Sequence, residues 1–129
     1  METRQDQVLV VRAEERTAGP PTPGMRREQA FATEGLWAGF VTTAPGMVSA
    51  WHHHGEYDSA IYVLRGALRM ESGPGGRTTV DAGPGDFVFV PSHVVHRESN
   101  PSSTPAEVIA VRAGRGESTF NVDGPDPEG

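Results

Sequence analysis

Five histidines hold the chemical interest of this 129-residue chain, in two clusters: His52, His53 and His54, then His93 and His96. If the first cluster lies on a β-strand, alternation puts His52 and His54 on one face and turns His53 to the other. Two imidazoles so placed, about 6–7 Å apart at Cα, can chelate one ion. A third ligand must then come from a neighbouring strand, and His96, just after the run Asp86–Val90 (DFVFV) and Pro91, is the natural one. Neutral imidazole suits Zn, Fe, Mn, Ni or Cu, with the choice set by geometry and supply. Three protein ligands leave positions open for water or substrate, the pattern of a catalytic site. His93 is open between a group near the ion, an acid/base and a surface loop residue. Tyr57, Asp58 and Glu98 are further candidates for proton transfer, and spacing does not choose among them. His93 and Tyr57 are the residues we name as catalytic candidates.

The elements that must position these residues are short. The chain has 16 Gly and 11 Pro without a collagen-like period, which points to many strands and tight turns. Candidate strands are 7–12 (QVLVVR), 35–43 (GLWAGFVTT), 47–54, 59–65, 67–72, 78–81, 86–90, 94–97 and 106–112 (AEVIAVR). The segment DFVFV has the composition and length of a buried strand. Residues 17–24 (TAGPPTPG) read as an extended connector or a lid over the pocket. No helix pattern and no internal repeat emerge, so the fold class is all-β, a sandwich or barrel. Trp37, Phe40, Met47, Trp51, Phe87 and Phe89 are candidate pocket walls.

Composition excludes several functions. Seventeen acids face eleven bases, all Arg, for a net charge of −6. No basic patch with interleaved aromatics is present, which argues against nucleic acid and anionic membranes as partners. The absence of Cys removes disulfides, thiolate metal sites and Cys nucleophiles. Residues 1–20 lack the apolar core of a signal peptide and no stretch is long enough to span a bilayer, so the expected location is cytoplasmic.

Spacing adds a family likeness. Gly46, five residues on His52 and His54, and later Gly66 match the first motif of the cupins; Gly85, Pro91, His96 and Asn100 match the second. The chain therefore resembles a small single-domain cupin (monocupin), including actinobacterial polyketide cyclases and dioxygenase cupins. The resemblance implies a double-stranded β-helix, or jelly-roll barrel, over residues 29–122. An N-terminal strand and Pro-rich connector would occupy 1–28, and a flexible acidic tail 123–129. It also implies a divalent ion on His52, His54 and His96. Two positions depart from the pattern. The usual glutamate ligand aligns with Ser59, or with Asp58 at the shorter spacing, and Glu56 lies in the same loop; the fourth ligand is open among these and water. His93 stands where the second motif has Gly.

Three neutral imidazoles without a carboxylate would leave a divalent ion its full charge, which favours an anionic or enolic substrate. The leading functional expectation is a small-molecule metalloenzyme, either of dioxygenase type or a zinc-type cyclase or isomerase of secondary metabolism. The alternatives are a non-catalytic small-ligand-binding or sensing cupin, and a metal-free relative of the sugar epimerases. An edge strand at Val8–Val11 and an outer apolar face lead us to expect a homodimer.

Overall fold

Eleven short strands joined by Gly- and Pro-rich turns make up the computed structural model, which describes residues 7–127. They are β1 (Thr17–Ala18), β2 (Met25–Ala32), β3 (Leu36–Thr43), β4 (His52–His53), β5 (Asp58–Arg65), β6 (Leu68–Ser72), β7 (Thr78–Ala82), β8 (Phe87–Val90), β9 (Arg97–Ser99), β10 (Ala106–Ala113) and β11 (Phe120–Asn121). Six of them form one wall in the order β1-β2-β3-β10-β5-β8. The other wall is a three-stranded sheet, β7-β6-β9, and a pair, β11-β4. Isolated bridges from Val48 to Ser99 and from His52 to His96 tie these two pieces together. All ladders are antiparallel, and the walls enclose one interior.

Inward positions follow the strand period of two. On β10 they are Ala106, Val108, Ala110 and Arg112; on β5, Ser59, Ile61 and Val63. With Trp37, Val41, Leu68, Met70 and Val90 the apolar members form the core. Gly66 closes the β5–β6 turn at φ +82°, and a Cβ there would lie 2.7 Å from the Ala106 backbone, so the position admits no side chain. Asn100 is buried and clamps the turn after β9: its side-chain amide donates to Thr43 O and Thr104 O, and its Oδ1 accepts from Ser102.

Several sequence expectations need correction. Residues 7–12 are not a strand; Val8 is 99% exposed and the run joins no ladder. The 17–24 segment contributes a two-residue strand, β1, and bridges Thr22 to Met25. β2 was not anticipated, because its sequence MRREQAFA hides the alternation behind charges. It places residues 25–28 in the barrel wall, which therefore begins before residue 29. The 47–54 strand shortens to β4, and the 94–97 strand shifts to β9. The DFVFV run is not fully buried: β8 is an edge strand, and Phe87 and Phe89 point outward, 76% and 65% exposed. In the tail, Asp126 O and Pro127 O accept hydrogen bonds from Gly75 N and the Arg77 side chain. Residues 1–6 and 128–129 of the expected terminal segments lie outside the described residues.

Candidate metal centre

Three imidazoles meet because two neighbouring strands carry them. β4 turns His52 inward, His54 follows two residues later, and the His52–His96 bridge lays the start of β9 alongside. All three rings are buried, with centroids 4.3 to 5.1 Å apart. Glu98, two residues after His96 on the same face, joins them. One ligand atom from each of His52, His54, His96 and Glu98 lies within 4.8 Å of all the others.

The backbone fixes the tautomers. His52 Nδ1 faces Ala50 O at 3.0 Å, His54 Nδ1 faces Ser118 O at 2.6 Å, and His96 Nδ1 faces Val94 O at 3.0 Å. A carbonyl only accepts, so each Nδ1 carries the proton and each Nε2 is left with its lone pair. His96 Nε2 is buried without a hydrogen-bond partner. Buried nitrogens of this kind are rarely left so without a ligand. Outer hydrogen bonds from Nδ1 to carbonyls are the arrangement that orients imidazoles toward a metal. The donor set therefore fits a divalent ion.

Electrostatics agree. Burial lowers His52 to a pKa of about 4, helped by His96, and lowers His54 to about 2, helped by the Arg112 charge. Both stay neutral, the form that binds metals. Glu98 is fully buried, and although burial alone would raise its pKa, His96, His52 and Arg27 hold it down to about 2. It stays ionised, its Oε1 lying 3.4 Å from His96 Nε2 and 3.8 Å from His52 Nε2.

The remaining candidates are placed elsewhere. Glu56 and Asp58 are exposed, and Asp58 accepts from the Ser92 backbone. Ser59 is buried on the inner face of β5 but is not the carboxylate of the cluster. The acid comes instead from β9, so the premise that the ion lacks a carboxylate neighbour is overturned. From sequence Glu98 stands only as a proton-transfer candidate; its i, i+2 relation to His96 is the available signal. His93 is an exposed loop residue in the left-handed region, φ +64°, which explains why Gly is usual there. Tyr57 is buried and its hydroxyl donates to Gly116 O at 3.1 Å. His53 stacks on Phe120. Of the candidate walls, Trp37 lines the interior; Phe87 and Phe89 are largely exposed, although Phe89 edges the small pocket at His96, and Trp51 and Phe40 lie under the guanidiniums of Arg97 and Arg16.

Two arginines share the interior with the histidines, and the sequence reading assigned neither. Arg27, from β2, donates to Pro20 O at 2.9 Å and to Thr22 Oγ1, and lies 3.3 Å from His52 Nε2. Arg112, from β10, stacks over the Trp37 ring at 4.4 Å. Both are almost completely buried.

Comparison with known proteins places this arrangement. Among solved structures the chain is similar to KdgF from a Halomonas species, with 25% identity and TM-score 0.67 over 82% of this chain and 94% of that one. It is also similar in fold to the polyketide cyclase RemF of Streptomyces resistomycificus, with 18% identity and TM-score 0.72 over 90% and 86%. A third likeness is to oxalate decarboxylase of Bacillus subtilis, with 19% identity and TM-score 0.68, where 79% of this chain covers 28% of that one. No curated protein sequence matches significantly. The family profile of the cupin domain matches residues 39–112, more than half of the chain and the stretch that carries all three buried histidines. The chain thus belongs to the cupin family.

Proposed function

We propose that this monocupin is a metal-dependent enzyme acting on an anionic, enolisable or phenolic small molecule. The observation that supports it is the convergence of three Nε2 lone pairs and one ionised carboxylate, with every Nδ1 proton held by a carbonyl. His52, His54, His96 and Glu98 would hold the ion. Zn would supply Lewis acidity for cyclisation or isomerisation, while Fe, Mn, Ni or Cu would add redox chemistry of the dioxygenase kind.

The chain's own residues do the rest. Ala50 O, Ser118 O and Val94 O keep the rings in the ligating tautomer. Core side chains exclude water from the centre, which strengthens every charge interaction inside it. A pocket of about 70 Å³ between the walls, lined by Met70, Val88, Val90 and Val94, touches His96 and gives small molecules an approach. Tyr57 holds its proton on Gly116 O, so its use as an acid requires release of that bond. His93 lies outside the centre and serves the loop. The apolar outer face of β8 and β5, with Phe87 against Tyr62, supports a homodimer.

The test is turnover of enolisable and phenolic acids by metal-stripped protein, before and after adding back one divalent ion, with oxygen uptake followed in parallel. The reading expects activity that appears only with the ion. Equal turnover with and without metal would contradict it, and metal-dependent ligand binding without turnover would favour the sensing module.

A further inference from the structure

We propose that Arg112 and Ser59 form a carboxylate-binding subsite in the interior that holds the metal centre, so that the substrate of the reaction proposed above is a small carboxylic acid. This rests on that reading for the chemistry, but not for the binding.

Arg112 lies in register between Ser59 of β5 and Trp37 of β3, all three on the inner face. Its guanidinium carbon lies over the Trp37 ring, 4.4 Å from the centroid. Its Nε and Nη1 are buried without any hydrogen-bond partner. Ser59 Oγ, on the adjacent strand, is also buried and unpartnered. Two neighbouring side chains thus present unmet hydrogen-bonding capacity in the interior.

Charge points the same way. Among the described residues the interior holds one carboxylate, Glu98, against the guanidiniums of Arg27 and Arg112. With neutral histidines and a divalent ion bound, three positive charges stand in excess. Buried charge in such excess is costly unless an anion joins it. Arg27 is held by Pro20 O and Thr22 Oγ1 and leaves only its Nε without a partner. Arg112 leaves both Nε and Nη1 unpartnered, in the same interior that buries the histidines.

The sequence explains the vacant partner. The position where the resemblance puts a glutamate holds Ser59, directly beside Arg112 in the sheet. Exchange of Glu for Ser removes one carboxyl group from the interior. A substrate carboxylate supplies it again, and the planar fork of Arg matches carboxylate geometry where Lys would not.

The test uses the full chain, Zn-loaded and chelator-stripped, titrated calorimetrically with malonate and with its neutral analogue malonamide. The expected result is malonate binding to both forms, loss of about 30-fold in Arg112→Met, a smaller loss in Arg112→Lys and in Ser59→Ala, and little binding of malonamide. Zn stoichiometry should be the same in all variants. Arg112→Met should melt no lower than wild type without ligand, and malonate should raise only the wild-type melting temperature. Malonate affinity within about threefold in Arg112→Met, equal binding of malonamide, or no malonate binding by wild type at millimolar concentration would overturn the subsite. Should Zn bind to none of the proteins, the metal reading fails, and malonate binding to the stripped protein still decides this one.

Discussion

Glu98→Gln keeps the shape of the side chain and removes its charge, so its effects are electrostatic. Glu98 is the carboxylate that offsets both Arg27 and Arg112, and its Oε1 sits 3.4 and 3.8 Å from two imidazoles. Removing one member of a buried charged group costs about 3–5 kcal/mol. The new amide can donate to an imidazole, so the lower end, about 3 kcal/mol, is the expected loss for metal-free protein. For a domain of this length that is a fall of roughly 10–15 °C in melting temperature. The metal effect is larger in gross terms, because the carboxylate is one of the four groups that would hold the ion and its charge offsets part of the ion's own. Rearranged ligands and water recover much of this. A net loss of about 3 kcal/mol is a fall of roughly 100-fold in affinity. Thermal melts of stripped protein and competitive metal titration measure the two effects. A melting change below about 3 °C together with a metal affinity within threefold of wild type would refute the assignment of Glu98 as the charge of the centre.

Other consequences follow from the same geometry. His52 and His54 have folded pKa values below their unfolded ones, so metal-free protein keeps their full contribution above about pH 6.5 and loses it as pH falls. Glu98, also depressed, adds a loss below about pH 4.5. Denaturant melts should show stability dropping by up to about 2.7 kcal/mol per pH unit near pH 5, and a flat profile there would exclude buried neutral histidines. His93→Gly relieves a side chain at φ +64° and should stabilise the fold by about 1 kcal/mol without changing metal content; a destabilised or metal-free variant would give His93 a role we deny it. Phe87→Ser with Phe89→Ser should convert a dimer to monomer in light scattering at micromolar concentration, and a wild-type monomer would remove the dimer proposal.

The barrel and the histidine cluster could be read from spacing because turns and metal ligands demand particular residue types. Gly46, Gly66, Gly85 and Asn100 answer to backbone geometry, and alternation alone puts His52 and His54 on one face. What stayed hidden was charge in the interior. Arg27 made β2 look like a solvated segment, since a charged residue normally marks an outward position. Arg112 closes an alternating strand and looks like its exposed end. Glu98 lies far along the chain from His52 and His54, and sequence distance does not show that the start of β9 lies against β4. Phe87 and Phe89 misled in the opposite direction: an apolar run resembles a buried strand when its outward face is itself apolar.

The most direct test of the account is metal content per chain of the untagged protein, produced with Zn, Fe, Mn, Ni and Cu all supplied and measured by mass spectrometry beside a His54→Ala, His96→Ala double variant. The account predicts about one ion per wild-type chain and almost none in the variant. A wild-type protein that stays empty after reconstitution, or a variant that retains its ion, would contradict it.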